Sequence, residues 1–195
     1  KMLNFMYFPT VATVMTPDST SFVPDSASTA TAMSSGEKTH TMSVNTDEVG
    51  DRKYRPLSYD LHDLGYRLGV VTTAFMNDAT PASFYSQHYD RYDRYPIASQ
   101  MSLNGVDVYA GGGIMEPDDP KGIGEDSWEL LKQAGYTIVN TRRDALKLSA
   151  KDLPAYILGE DLDHVQSVPY AIDRDENSWN LGQYLRRTVE LLDQD

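Results

Sequence analysis

Hydrophobic positions along the chain change several times between the spacing of a strand and the spacing of a helix. Short apolar runs predict strands at residues 11–16, 70–74, 106–109, 136–140 and 155–158. Helical spacing and capping signals predict helices at residues 26–35, 57–68, 81–90, 94–103, 126–134 and 142–148. Strands separated by helices favour right-handed crossovers and parallel pairing. We therefore expect an α/β fold, a three-layer sandwich with a mostly parallel central sheet and helices on both faces.

The two ends of the chain carry weak boundary signals. A last helix is predicted after a cap at Asn177 or Ser178, and the chain stops within its pattern without a C-terminal cap. The first nine residues are apolar but too short for a secretory signal. We expect residues 1–195 to be part of one domain that is truncated at both ends.

Composition excludes several kinds of protein. The 29 acidic residues outnumber 17 basic ones, giving a net charge of -12, which argues against a nucleic-acid binder because phosphate backbones are held by clustered Lys and Arg. The chain has no Cys, so disulfides, thiolate nucleophiles and cysteine-ligated metals are excluded. No apolar run approaches the roughly 20 residues that span a bilayer.

Asp25 and Ser26 stand where a predicted loop becomes the helix at 26–35. The free N–H groups of the first turn and the positive end of the helix dipole favour an alkoxide or a bound anion there, and phosphate is the usual anion. The alternative is structural: Asp25 is an N-cap and Ser26 the first residue of the helix. A nucleophilic serine would also need a base or a metal to lower its pKa.

A second polar group follows the predicted strand at 70–74. Asp78 and Thr80 offer hard oxygen donors suited to Mg²⁺, and Arg91 carries a planar fork that can bind two phosphate oxygens. In an open α/β sheet such groups gather beyond the carboxyl ends of the strands. Taken singly, Asp78 could be a helix N-cap, Thr80 a turn residue and Arg91 a solvated cation at a helix end.

Together these segments resemble the alkaline phosphatase family. Residues 23–31 are similar, position by position, to the nucleophile signature of that family. Further similar segments follow in order and cover nearly the whole chain: 71–74, 78–82, Arg91, 106–113, 134–137 and 169–174.

The resemblance implies phosphate monoester hydrolysis through a covalent phosphoserine. In that scheme Ser26 is the nucleophile and a zinc ligand, Arg91 binds the substrate phosphate, and Asp25 orients Arg91. Thr80 is a direct magnesium ligand. Asp78 lies in the second shell of the magnesium and holds a bound water; many relatives have His at this position.

The resemblance also implies two Zn²⁺ and one Mg²⁺, small phosphomonoester substrates, a homodimer, and a periplasmic or secreted location. The remaining metal ligands of the family lie in segments before and after this chain. We therefore expect residues 1–195 to be a partial catalytic domain that is inactive by itself. Two alternatives stay open: a related metallophosphoesterase acting on diesters or sulfate esters, and a non-catalytic phosphate-binding domain.

Other polar groups have simpler interpretations. The sequence at 161–164, Asp-Leu-Asp-His, is interpreted as a solvated acidic turn rather than a zinc site. His40, His62 and His88 lack the paired spacing of metal ligands. The tyrosine-rich stretch at 89–95 has balanced charge and, apart from Arg91, is interpreted as a solvated helix flank.

Overall fold

A parallel sheet of four strands forms the centre of the computed structural model, which describes residues 3–176 and 178–193. Its strands are β1 (Gly69–Thr72), β2 (Val108–Gly111), β3 (Thr137–Val139) and β4 (Ala155–Leu158). They lie in the order β1-β2-β4-β3, so β4 is inserted between β2 and β3. The predicted parallel sheet is confirmed.

Within the described residues, seven helices connect and flank these strands. They are α1 (Ser26–Ser35), α2 (Leu57–Asp63), α3 (Ala79–Ala82), α4 (Arg94–Ser99), α5 (Ser127–Gln133), α6 (Arg142–Ala145) and α7 (Leu181–Leu192). Short 3-10 turns occur at Asn4–Tyr7, Gln100–Ser102 and Ala150–Asp152. None of the helices in the described ranges has the length and apolar character needed to cross a bilayer.

Side chains that alternate along the strands form two separate cores. Tyr109 and Tyr156 point into one core together with residues of α1, α3, α4 and α5. Their neighbours Val108, Ala110 and Ile157 point into the other, which α6 and α7 complete. Because successive strand residues face opposite sides of a sheet, two cores require helices on both faces. The predicted three-layer arrangement is confirmed.

Helix α1 begins and ends where the sequence predicts. Asp25 caps its first turn by accepting a hydrogen bond from the Ser28 amide at 2.9 Å. Gly36 ends it with φ at 74°, a left-handed conformation that glycine adopts without steric cost. The buried Ala27 and Ala30 allow close packing of α1 on the elements beneath it. The start of α1 is therefore rigidly placed.

The strand predicted at 11–16 is wrong. These residues form no strand, and Val11 and Val14 are exposed by 87% and 76%. β-Branched residues favour a strand only where a partner and a buried face are available, and this segment has neither within the described chain.

The helix predicted at 81–90 is also wrong, because α3 ends at Ala82. The side-chain amide of Asn45 donates to the carbonyls of Ser83 and Ser86, at 2.6 and 2.9 Å. These carbonyls, just after α3, are therefore bound by a side chain and not by the amides of a continuing helix. His88 then pairs with Val44 through two backbone hydrogen bonds of 2.8 Å. Tertiary contacts thus override the local helical pattern.

Two further boundaries differ from the sequence-based expectation. The last helix is capped by Asn180 in a capping box with Gln183, and not by Ser178. The other expected cap, Asn177, lies outside the described residues. Helix α2 ends near Gly65, whose φ is 81°, so Leu68 belongs to the approach to β1 rather than to a helix.

Candidate active site

The first turn of α1 presents two polar side chains with different exposure. Ser26 is exposed at the first helical position. The Asp25 side chain before it retains only 19% exposure. One carboxylate oxygen of Asp25, Oδ1, accepts from the Ser28 amide, which leaves Oδ2 free for another partner. The N-cap interpretation of Asp25 is therefore confirmed, and it uses one oxygen only.

Arg91 reaches this turn from a distant part of the chain. Its Nη1 donates to Asp25 Oδ2 at 3.0 Å and to Ser26 Oγ at 2.6 Å. Its Nη2 donates to Asp78 Oδ1 at 3.0 Å. The second hydrogen of Nη2 has no hydrogen-bond partner within residues 3–176 and 178–193. The guanidinium thus joins both predicted clusters in one place.

Arg91 is not the solvated helix-end cation that its sequence position also allowed. Its side chain is 14% exposed and lies in a turn that follows the bridge between His88 and Val44. Its backbone amide donates to the carbonyl of Met42 at 2.9 Å. Backbone and side chain are both held, so the guanidinium points at Ser26 with little freedom.

Asp78 lies on the loop beyond the carboxyl end of β1, as expected. It occupies the N-cap position of α3, but its side chain makes no capping hydrogen bond. Instead its Oδ1 pairs with Arg91 and also lies 3.7 Å from Nη1 of Arg94. One carboxylate therefore holds two guanidinium groups at the edge of the site.

Charges in the cluster keep both Asp25 and Arg91 ionised. Burial opposes ionisation of Asp25, but hydrogen bonds from the Ser28 amide, Arg91 and the Met42 amide bring the pKa of Asp25 below its usual value. Burial likewise opposes the charge on Arg91, but hydrogen bonds and attraction from Asp25 and Asp78 raise the pKa of Arg91. Arg91 therefore stays positively charged in alkaline solution.

Thr80 does not join this hydrogen-bonded cluster. It is exposed, its hydroxyl forms no hydrogen bond within the described residues, and it lines an apolar groove of about 420 Å³ along β1. Leu57, Leu61 and Phe84 also line this groove. Thr80 is thus two residues from Asp78 along the chain, but no hydrogen bond joins it to Arg91 within the described residues.

The oxygens of Ser26, Asp78 and Thr80 are donors of the hard type that bind Mg²⁺. Asp78 Oδ2 and the Thr80 hydroxyl have no hydrogen-bond partner among the described residues. These groups fit part of a metal site. However, in residues 3–176 and 178–193 no three His, Asp or Glu side chains converge in a way that could hold a metal ion.

Arg94 and Asn77 are site residues that the sequence interpretation missed. Arg94, assigned to a solvated flank, is 10% exposed, lies 4.7 Å from the Phe75 ring centroid and donates to the Arg91 carbonyl at 2.9 Å. Asn77 accepts from the Met115 amide at 2.9 Å and so joins the loops that follow β1 and β2. Arg94 stands three residues after Arg91, and this spacing could have indicated that both arginines lie near the same group. Nothing in the local sequence marks Asn77.

The segment 161–164, His62 and His88 form no hydrogen bond with the Arg91 cluster within the described residues. At 161–164, Asp163 Oδ1 accepts from the Val165 and Ser167 amides, at 3.0 and 2.8 Å, which is the geometry of a turn. His88 lies 3.6 Å from Asp93 through Nε2, and His62 lies beside Asp63 at the surface.

Comparison with known proteins decides the family. The family model described as alkaline phosphatase matches residues 1–195. The chain belongs to the alkaline phosphatase family. Alkaline phosphatase 3 of Bacillus subtilis is 34% identical over 181 residues, which cover 89% of this chain and 37% of that protein. Streptomycin-6-phosphate phosphatase of Streptomyces griseus is 38% identical over 162 residues, covering 71% and 35%.

Solved structures of this family share the fold. The alkaline phosphatase of the Antarctic bacterium TAB5 aligns with a TM-score of 0.84 at 24% identity, covering 100% of this chain and 55% of that one. The enzyme of Thermus thermophilus aligns with a TM-score of 0.76 at 27% identity, covering 92% and 37%. The chain spans about a third of the length of the curated relatives named here.

Proposed function

We propose that the protein to which this chain belongs hydrolyses phosphate monoesters through a covalent phosphoserine on Ser26. The observation that carries the proposal is the contact of Arg91 Nη1 with Ser26 Oγ, at 2.6 Å, where Ser26 is the exposed first residue of a ten-residue helix. A guanidinium at this place would stabilise the negative charge of a phosphate that Ser26 attacks, and its hydrogen bonds would orient that phosphate.

The donor count of Arg91 suits a phosphate. A phosphoryl group approaching Ser26 would take over the Nη1 hydrogen that now points at Oγ and would use the second hydrogen of Nη2. Asp25 and Asp78 would keep their own hydrogen bonds and hold the guanidinium in orientation. Two phosphate oxygens would thus be bound in the fork geometry that arginine favours.

The reaction then has two displacements at phosphorus. Ser26 gives up its hydroxyl proton and Oγ forms a bond to phosphorus, while the bond to the ester oxygen breaks and the leaving alcohol takes a proton. Water next attacks the phosphoserine, releases inorganic phosphate and returns the hydroxyl of Ser26. The amides of the first turn of α1 and Arg91 stabilise the negative charge in both steps.

Two Zn²⁺ and one Mg²⁺ complete the proposed site. Ser26 would be one of the zinc ligands, Thr80 a magnesium ligand, and Asp78 would act on the magnesium through a water. Bound divalent cations supply positive charge that lowers the pKa of the nucleophile and stabilises the leaving oxygen. The hard oxygens of Thr80 and Asp78 support the magnesium assignment, as does the magnesium named in a solved structure of a TAB5 enzyme mutant.

Small phosphomonoesters are the proposed substrates. The relative from Streptomyces griseus, named for the phosphate monoester streptomycin-6-phosphate, supports this class. Diesters and sulfate esters remain the comparison substrates, and their rates should be far lower. We also propose that residues 1–195 form part of a catalytic domain, in a homodimer exported from the cytoplasm.

Replacing Ser26 with Ala tests the nucleophile directly. In the full-length protein with zinc and magnesium supplied, Ser26→Ala should lower phosphomonoester turnover by about three orders of magnitude or more. Alanine has no hydroxyl, so the phosphoserine cannot form. Ser35→Ala is the matched control, since that hydroxyl lies on the last turn of α1 and bonds to the Thr31 carbonyl. Wild-type turnover by Ser26→Ala would refute the proposal.

A further inference from the structure

Hydrogen-bond donors surround the half-buried carboxylate of Asp18, to which the proposed reaction assigns no role. Oδ1 accepts from the Thr20 amide at 2.8 Å, the Thr20 hydroxyl at 3.2 Å and the Ser21 amide at 2.6 Å. Oδ2 accepts from the hydroxyls of Ser28 at 3.1 Å and Thr41 at 2.6 Å. No Lys or Arg of the described chain forms an ion pair with Asp18. This carboxylate therefore ties three separate segments together through hydrogen bonds alone.

The first of these segments leads to Asp25. Ser28 Oγ lies between two carboxylates, 3.1 Å from Asp18 Oδ2 and 2.9 Å from Asp25 Oδ1. The amide of the same residue donates to Asp25 Oδ1 at 2.9 Å. The single hydrogen of the Ser28 hydroxyl is shared between the two carboxylates, and because Ser28 is only 2% exposed, water does not replace this contact at low cost. The position of the Asp25 side chain thus depends on a residue that Asp18 holds.

The second segment leads to Arg91. Thr41, whose hydroxyl is bound by Asp18, precedes Met42, and the Met42 carbonyl accepts from the Arg91 amide at 2.9 Å. Met42 has φ at 82°, in the left-handed region that non-glycine residues rarely adopt. Such a conformation persists only where surrounding contacts hold it. The hydrogen bond between Asp18 and Thr41 holds the residue before Met42, and the Ser43 hydroxyl, which donates to the Tyr89 carbonyl at 3.2 Å, holds the residue after it.

We infer that Asp18 is a positioning residue for the reaction, holding Asp25 through Ser28 and Arg91 through the Thr41–Met42 turn. The inference rests on the proposed function of Ser26 and Arg91. Asp25 and Arg91, which form the ion pair beside Ser26, are thus both held by the carboxylate of Asp18, each through a different segment of the chain. A negatively charged acceptor is required because the amide nitrogen of Asn would present hydrogens to donors on one side.

The test is Asp18→Asn in the full-length protein with metals supplied. The two readouts are kcat/KM for a phosphomonoester and the inhibition constant of inorganic phosphate. We expect kcat/KM to fall by about 10- to 100-fold, since small displacements of catalytic groups have effects of that size. The inhibition constant of phosphate should rise, and this quantity does not change when part of the sample is merely unfolded.

Asp152→Asn is the matched control. That carboxylate also accepts from an amide and a hydroxyl, both of Ser149, at 2.7 and 2.8 Å, but it caps the short turn Ala150–Asp152 away from the site. Asp152→Asn should lower the unfolding temperature and leave both readouts unchanged. Wild-type values of both readouts in Asp18→Asn would overturn the inference.

Two further variants separate positioning from a general loss of structure. Thr41→Val removes only the hydroxyl that binds Asp18, and it should lower kcat/KM in the same direction even if Asp18→Asn fails to fold. Met42→Gly, added to Asp18→Asn or Thr41→Val, should recover part of the loss, because glycine adopts a φ of 82° without support. An unchanged kcat/KM in folded Thr41→Val, or no recovery with Met42→Gly, would overturn the route through Met42.

The Ser26→Ala result distinguishes the two levels of argument. If Ser26→Ala abolishes turnover while folded Asp18→Asn and Thr41→Val keep wild-type constants, the nucleophile stands and the positioning role of Asp18 fails. If Ser26→Ala keeps its turnover, the proposed function itself has failed.

Discussion

Asp25 Oδ2 lies 3.0 Å from Nη1 of Arg91, although the two residues are 66 positions apart in the chain. The same guanidinium nitrogen contacts the hydroxyl of Ser26. The pair therefore places a cation beside the exposed Ser26 at the start of α1. One oxygen of Asp25 caps the helix, and the other accepts a hydrogen bond from the arginine. Substitutions that disturb either contact are the most informative tests of the site.

Arg91→Lys tests the need for a planar fork. A lysine keeps the positive charge but cannot contact Asp25, Asp78 and the substrate in the same plane. We expect kcat/KM for a phosphomonoester to fall on the order of 100-fold in the full-length protein. Arg187→Lys is the control, because Arg187 donates to the Ala145 and Leu148 carbonyls on the other face of the sheet. Equal kcat/KM for Arg91→Lys and wild type would contradict the assigned geometry.

Thr80→Val tests the proposed magnesium ligand. Valine keeps the shape of the side chain and removes its oxygen, so magnesium should bind at least about 10-fold more weakly. Elemental analysis of the dialysed full-length protein measures this, with activity recovered by excess Mg²⁺ as a second readout. Thr137→Val, on β3 at the far edge of the sheet, is the control and should retain its magnesium. Undiminished magnesium in Thr80→Val would exclude Thr80 as a ligand.

Gly111→Ala tests the close approach of β1 and β2 at the carboxyl end of the sheet. Gly111 has φ at 112°, and a Cβ there would lie 1.9 Å from the Thr72 carbonyl oxygen. The free energy of unfolding should fall by well over the about 1–2 kcal/mol that a left-handed alanine costs by itself. Gly65→Ala has φ at 81° with no atom near the new Cβ, so it measures that smaller cost. Denaturant unfolding that gives equal losses would show that the strands can separate without penalty.

The stability of the folded chain should depend on pH through Asp18. Burial acts to raise its pKa, but hydrogen bonds from Thr41, Thr20, Ser21 and Ser28 lower the pKa of Asp18 from 3.8 to about 2. A depressed pKa in the folded state adds stability that is complete above the unfolded value and is lost as pH falls through the folded value. The advantage of wild type over Asp18→Asn in unfolding temperature should therefore be constant above about pH 5 and shrink towards pH 2.

Asp51→Asn is the control for the loss of one carboxylate, since Asp51 is exposed and its side chain makes no hydrogen bond within the described residues. It should leave the unfolding temperature near that of wild type. A constant difference for Asp18→Asn down to pH 2 would show that the carboxylate gains nothing from its hydrogen bonds.

The sequence determined the elements whose signals are local. Helix α1 begins at Ser26 and ends before Gly36 because a cap, small apolar residues and a left-handed glycine all act within a few positions of one another. The parallel sheet followed from strands separated by helices, and the family followed from residues 23–31 with Asp78 and Arg91. These signals require no knowledge of which distant residues meet.

Tertiary structure alone decided the rest. The chain from 83 to 90 is not helical because the buried amide of Asn45, far away in sequence, binds carbonyls there. Arg94 was expected on a solvated helix flank, but in the folded chain it lies beside Asp78. Asp18 lies beneath the first turn of α1, where Ser28 donates to it. Helix propensity is a sum of small free-energy contributions from neighbouring residues. A buried polar or charged group must instead find a hydrogen-bond partner, even one far away in the sequence. Long-range partners therefore decide the conformation at 83–90 and the places of Arg94 and Asp18.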